Sequence, residues 1–289
     1  MAVKKRPKTL SQGRPPVTRP KERMSSQQSR TIIRTHHRLE KQRVAAVKKG
    51  DAESAEAIAR SIEEKGGLKL YQAASKQGQS KDRGGDSSKV LVQWLRDANV
   101  IQDHTDITNT SIETRRCLEV GALSAKNEIS KFTGQIEMTR IDLNSQGPGI
   151  AKQDFMERPL PRTPDEKFDV ISLSLVLNYV PDAAQRGEML KRVTQFLRRD
   201  NVSINPENSM SPAVFLVLPL PCVENSRYLD EQMLLRIMSN LGLTLVNKKI
   251  TPKLCYYLFN FTGKGTGKKA GKRKVRDGPA MNNFCIIVE

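Results

Sequence analysis

Glu119-Val120-Gly121 stands where a short apolar run, Cys117 to Val120, stops. Asp142 follows Gly121 by 21 residues, at the end of a second run from Ile136 to Leu143. A glycine where a strand ends lets the backbone turn sharply and approach a ligand closely. An acid at the end of the next strand can accept two hydrogen bonds from a ribose diol. Gly121 and Asp142, with Glu119 beside the turn, are therefore candidate contacts for a nucleoside cofactor. An ordinary strand-to-turn glycine and a surface aspartate would give the same letters. The further glycines of a GxGxxG loop are missing, because the chain continues Ala122-Leu123-Ser124. Those glycines serve a pyrophosphate seated against a helix N-terminus. S-adenosylmethionine has no phosphate, so a worn loop with an intact acid favours it over NAD or FAD.

Two more segments belong to the same edge. Asp154-Phe155 follows Gly147-Pro148-Gly149-Ile150, where a third strand would end. Asp154 could accept from an adenine amino group and Phe155 could cover its ring. A helix cap and a core ring are the equal alternative. After Phe168-Asp169-Val170-Ile171, polar Ser172, Ser174 and Asn178 interrupt an apolar run that ends Tyr179-Val180-Pro181. Ser172, Asn178 and Tyr179 are the candidate catalytic residues there, shaping a pocket for the substrate. The histidines are His36, His37 and His104, outside the expected core, so chemistry built on a histidine base is not expected. The four cysteines, Cys117, Cys222, Cys255 and Cys285, form no CxxC pair. They read as buried thiols in a reducing compartment, with no metal site.

The elements that must position these residues alternate. Strands are expected at Cys117–Val120, Ile136–Leu143, Phe168–Leu173 and Ala213–Leu218, and the last two lack polar alternation, as strands buried on both faces do. A helix capped by Asp182 carries Met189, Leu190, Val193, Phe196 and Leu197 at three- and four-residue spacing. A second is expected from Ser226 to Asn240, and a closing pair of strands at Lys253–Phe259 and Phe284–Val288. That order predicts an α/β fold, a Rossmann-like methyltransferase of class I, with a mostly parallel sheet and an antiparallel edge. Its domain would run over 112–289 with a basic loop at 261–280. A helical extension would cover 31–111, and a disordered basic tail 1–30.

The charge is uneven. The chain of 289 residues carries a formal +18. Residues 1–49 hold fifteen Lys and Arg against two acids, and residues 261–280 hold seven against one, so the remainder is close to neutral. Basic attachments on a neutral body suit a polyanion such as nucleic acid. Lys4, Lys5, Arg6 and Lys8 resemble a nuclear address. No apolar run approaches the length of a membrane span, and no secretory leader is expected.

Leu118-Glu119-Val120-Gly121-Ala122-Leu123, Arg140-Ile141-Asp142-Leu143-Asn144-Ser145, Ile150 to Pro159 and above all Phe168 to Pro181, extended by Arg186-Gly187-Glu188-Met189-Leu190, carry a resemblance. Over about residues 85–289 the chain resembles the fungal nucleolar methyltransferases that form N1-methyladenosine in 25S ribosomal RNA of the large subunit. The resemblance implies S-adenosylmethionine as cofactor, with Gly121 and Asp142 in contact with it and, by class analogy, Asp154 at its adenine. It implies ribosomal RNA or a pre-ribosomal particle as partner, a role in ribosome biogenesis and a nucleolar location. A monomer is expected, with no membrane and no metal. The chain departs from amino methyltransferases that carry Asn/Asp-Pro-Pro-Tyr/Phe, since Ser174-Leu175-Val176-Leu177 stands there. A competing expectation is a non-catalytic S-adenosylmethionine sensor acting through protein contacts, which would not need the basic arms.

Overall fold

The computed structural model describes residues 24–78, 85–102, 114–145, 147–199 and 212–289. Four helices come first: α1 (Ser26–Lys48), α2 (Ala52–Glu64), α3 (Gly67–Gly78) and α4 (Ser88–Asp97). Then follow β1 (Arg115–Val120), β2 (Ile136–Asp142), β3 (Ala151–Lys152), β4 (Val170–Ser174), α5 (Ala183–Phe196), β5 (Ala213–Pro219), α6 (Pro221–Glu224), α7 (Glu231–Asn240), β6 (Leu243–Ile250) and β7 (Leu254–Phe261). The strands form one sheet of order β3-β2-β1-β4-β5-β7-β6. Every pairing from β3 to β5 is parallel, and β7 runs antiparallel between β5 and β6. This is the Rossmann-like class I methyltransferase architecture expected from the sequence.

The chain leaves β1 toward β2 and β3 on one side, then returns to place β4 on β1's other side. Such a reversal opens a crevice at the carboxyl ends of the two central strands. The sheet is covered on both faces. One core layer gathers Leu118, Ile141, Leu173, Leu216 and Phe259 with α5 and α7 residues such as Leu190, Val193 and Leu234. The other packs Leu91, Trp94 and Leu95 of α4 on Cys117, Val170 and Phe215, with Trp94 edge-on to Phe215 at 5.9 Å. Burying both faces explains the continuous apolar letters of β4 and β5. All four cysteines are free, and Cys117, Cys255 and Cys285 are buried.

Helix starts follow side-chain capping. Asp182 accepts from the amides of Ala184 and Gln185, both at 3.0 Å. The first helix starts at Ser26, earlier than the expected end of the tail at residue 30, because Ser25 and Gln28 form a reciprocal capping box. Residues 1–23, including Lys4, Lys5, Arg6 and Lys8, lie outside the described residues. The helix expected from Ser226 begins instead at Glu231, where Asp230 caps the amide of Met233 at 2.7 Å. Ser226 is spent on the carbonyl of Phe284 and Arg227 on those of Gly278 and Met281.

The antiparallel edge is present, but its members differ from those expected. The partner of β7 is β6, not Phe284–Val288. β6 was missed because an edge strand needs only one apolar face, and its Val246, Lys248, Lys249 and Ile250 are exposed. Residues 284–288 are apolar for another reason: they strap across α5. The amide of Ile287 donates to Ala183 at 2.9 Å, and Val288 makes an antiparallel bridge with Ala270. The basic segment is therefore a path along the body, not a hairpin loop.

The strap crosses α5 at Gly187, where a Cβ would run into the carbonyl of Ile287. Gly187→Ala is expected to lower stability by about 1–3 kcal/mol through overpacking. Urea unfolding measures this, and an unchanged midpoint would show that the strap yields freely.

Candidate functional site

Val120 of β1 is in register with Ile141 of β2, and the amides of Gly121 and Ala122 both donate to the Ile141 carbonyl, at 2.8 and 3.1 Å. Gly121 and Asp142 thus stand on adjacent strand ends. Gly121 has φ +73°, and a Cβ there would lie 2.5 Å from Val176 Cγ2. Only glycine keeps this turn unstrained and its surface bare. A cavity of about 930 Å³ opens above it, lined by Gly121, Asp142, Asp154 and Phe155 from one half of the sheet. Asp154 accepts from the amide of Met156 at 2.7 Å, and Phe155 packs on Phe196 at 5.3 Å while lining the cavity.

The other wall comes from the segment after β4. Leu175 is left-handed, with φ +59°, as the chain leaves the sheet, and its amide is held by the Val217 carbonyl at 3.0 Å. A leucine in that region is strained, and such strain gathers at functional sites. Ser174, Val176, Asn178 and Tyr179 line the cavity beside it. Asn178 Oδ1 is buried with no hydrogen-bond partner. Arg186 fixes this segment from below. It is 3% exposed and donates to the carbonyls of Val180 at 2.8 Å, Pro181 at 3.3 Å and Cys285 at 2.6 Å. Its guanidinium also lies over Phe284, so the C-terminal strap holds the loop that carries Asn178 and Tyr179.

Two expected residues stand off the cavity. Ser172 lies two residues inside β4, between Glu119 and Phe215 in register. The strand continues to Ser174, so Ser174 reaches the edge and Ser172 does not. Glu119 accepts from Asn127 at 3.0 Å and pairs with Arg140 at 3.4 Å beneath the turn. Burial raises its carboxyl pKa while Asn127 and Arg140 lower it.

The helical extension expected at 31–111 forms a roof, a position that no local motif announces. Ile33 of α1 and Leu68, Tyr71 and Gln72 of α3 also line the cavity. Gln72, 4% exposed, donates to Asp142 Oδ1 at 2.8 Å and to the Asn144 carbonyl at 3.2 Å, and Asn144 Nδ2 donates back at 2.8 Å. Tyr71 and Tyr179 approach to 4.5 Å between ring centres. His36 Nε2 is hydrogen-bonded to Tyr179 Oη at 2.8 Å, with the rings stacked. His36 and His37 thus meet the site, contrary to the expectation that no histidine would. They lie some 140 residues from Tyr179 in sequence, and no local pattern joins them. Burial lowers the pKa of His36. His37 is pushed down to about 4, by burial first and then by the charges of His36, Lys41 and Arg186. Both rings are neutral near pH 7 and offer no standing positive charge. Burial raises both phenols, Tyr71 to about 12.

Lowered histidine pKa values make the roof acid-sensitive. An unfolded histidine takes up a proton near pH 6.5, whereas folded His37 resists until about pH 4. The opened state therefore binds more protons in that window. Docking of α1 and α3 is expected to be strongest above pH 6.5 and to weaken as pH falls toward 4. Hydrogen exchange of their amides, corrected for intrinsic rates, should show lower protection at pH 5 than at pH 7. The difference should shrink in His37→Gln, and equal protection at both pH values would contradict the burial of these rings.

The match to a known family covers the sheet and α3 but begins after α1. A family model described as 25S rRNA (adenine(2142)-N(1))-methyltransferase, Bmt2, matches residues 56–286. The 25S rRNA (adenine(2142)-N(1))-methyltransferase of Saccharomyces cerevisiae is 39% identical over 236 residues, 80% of this chain and 63% of that protein. The 25S rRNA adenine-N(1) methyltransferase of Schizosaccharomyces pombe is 39% identical over 222 residues, 76% of each chain. This chain thus spans just under two thirds of the budding-yeast protein. Among solved structures, the 1,6-didemethyltoxoflavin-N1-methyltransferase of Burkholderia thailandensis is 12% identical over 62% of this chain and 91% of that one, with a TM-score of 0.40. With a family model spanning α3, every strand of the sheet and most of the C-terminal strap, the chain belongs to the Bmt2 family of 25S rRNA adenine-N1 methyltransferases.

Proposed function

We propose that this chain transfers a methyl group from S-adenosylmethionine to N1 of an adenine in 25S ribosomal RNA, in the nucleolus, during ribosome biogenesis. The observation that carries the proposal is the bare Gly121 turn beside the Asp142 carboxylate at the head of a cavity of about 930 Å³. Family membership supplies the substrate class. The residues present fit the cofactor. Gly121 leaves room for its methionine part, Asp142 accepts from its ribose diol, and Asp154 and Phe155 receive its adenine. When bound, S-adenosylmethionine supplies a methyl group activated by a sulfonium.

The chain's own task is then positioning. Adenine N1 carries its lone pair in the base plane, so it attacks without first losing a proton. Neutral His36 and His37 are not needed as bases, and the site requires alignment and the exclusion of water. Asn178 and Tyr179 shape the slot on the β4 side. Ile33, Leu68 and Tyr71 close it from the roof. The product is a cationic base, and the faces of Tyr71 and Tyr179 favour it over the neutral one. N1 lies on the Watson–Crick edge, so the target enters unpaired or flipped out.

Labelled methyl transfer to unmodified 25S rRNA, with the product mapped to base and atom, tests this reading. Wild type is expected to yield N1-methyladenosine. Asn178→Ala and Tyr179→Ala should lower turnover about tenfold to a hundredfold through misalignment, with cofactor affinity kept. No transfer to RNA by wild type would end the proposal, and undiminished turnover in both variants would remove these side chains from the slot. Gly121→Ala, strained at φ +73° and in collision with Val176, should instead weaken cofactor binding, as equilibrium titration would show.

A further inference from the structure

The geometry points to a cationic rim, Arg30 with Lys253, as the place where the sugar-phosphate backbone of the RNA crosses the mouth of the cavity. The inference rests on the proposed function and deepens it. A base that leaves its stack to reach the crevice drags its own phosphates over the rim, and each needs a cation that no carboxylate has already claimed.

Arg30 of α1 and Lys253 of the β6–β7 turn both line the cavity, and both are exposed. They come from elements far apart in sequence, each anchored at the site. Along α1, His36 is tied to Tyr179, and the turn is held where the Leu220 amide donates to the Lys253 carbonyl at 2.8 Å. Each has an exposed basic neighbour four residues away, Arg34 and Lys249. None of the four has a carboxylate within ion-pair distance among the described residues. Nearby Lys248, by contrast, is spent on Glu231 at 2.6 Å.

The first part of the basic segment lies elsewhere. Gly265 packs on Asn240 and Gly242, where α7 ends and β6 begins. Asn240 Nδ2 donates to the Lys268 carbonyl at 3.3 Å. β6 runs parallel to β5, so this is the edge where the parallel strands start, opposite the cavity. Lys264, Lys268 and Lys269 therefore lie away from the mouth where the flipped base would enter.

Binding of an unmodified 25S rRNA transcript, followed by fluorescence anisotropy over a range of salt, tests the rim. The Arg30→Gln, Lys253→Gln double variant is expected to bind about tenfold more weakly. Its log–log salt slope should be shallower by about 1.4, two single-strand phosphate contacts at about 0.7 each. Affinity for S-adenosylmethionine should be unchanged, which also reports intact folding. The Lys268→Gln, Lys269→Gln variant should lose less than the rim pair. A rim variant with wild-type affinity and slope would overturn the inference, as would a larger loss from the Lys268 and Lys269 pair. Should wild type bind S-adenosylmethionine but neither bind nor methylate the transcript, the proposed function itself fails, and the rim with it. Methylation by wild type with an unaltered rim variant rejects the rim alone.

Discussion

The parallel register of β1 with β2 is the constraint on which the site depends. Val120 opposite Ile141 sets the end of one strand beside the end of the other, so a turn that bares its backbone and a carboxylate face the same space. A shift of one residue would turn Asp142 to the opposite face of the sheet and break the paired donation of Gly121 and Ala122 to Ile141. The register is held in turn by a core buried on both faces, with Leu118, Ile171 and Leu216 fully enclosed. The sheet is therefore a rigid base on which the crevice is built from turns and loops.

A second layer of control comes from outside the sheet. Gln72 reaches from α3 to Asp142, and His36 reaches from α1 to Tyr179. These contacts bind the helical roof to the residue assigned to the ribose and to a residue assigned to the substrate slot. On the far side, Arg186 ties the slot loop to the C-terminal strap through three carbonyls. A buried guanidinium satisfied only by carbonyls is costly to dismantle. The slot is thus clamped between two chain segments that lie more than a hundred residues apart.

Much of this was legible in the letters. β4 and β5 declare themselves because strands covered on both faces keep few polar residues, and Asp182 marks the start of α5 because an aspartate cap has a fixed place. Gly121 and Asp142 were found because spacing between strand ends is a local property. The resemblance to the methyltransferase family named the chemistry that these positions alone left open. What escaped was non-local. Edge strand β6 hides behind its lysines, and Phe284–Val288 imitates a strand because α5 buries it. Ser172 was favoured over Ser174 although the expected strand end at Leu173 falls one residue short of the end of β4, which carries Ser174 to the edge. Gln72, Tyr71 and His36 carry no motif, and only folding brings them over the cavity.

Calorimetric titration with S-adenosylhomocysteine, comparing wild type with Asp142→Asn, tests the central claim most directly. Asparagine keeps an oxygen for Gln72 and for the Asn144 amide but loses the charge that strengthens a grip on two hydroxyls. The account predicts tight binding by wild type and a loss of about tenfold or more in the variant, the scale of a charge-assisted hydrogen bond. Equal affinity in the two proteins, or no binding by wild type, would contradict it.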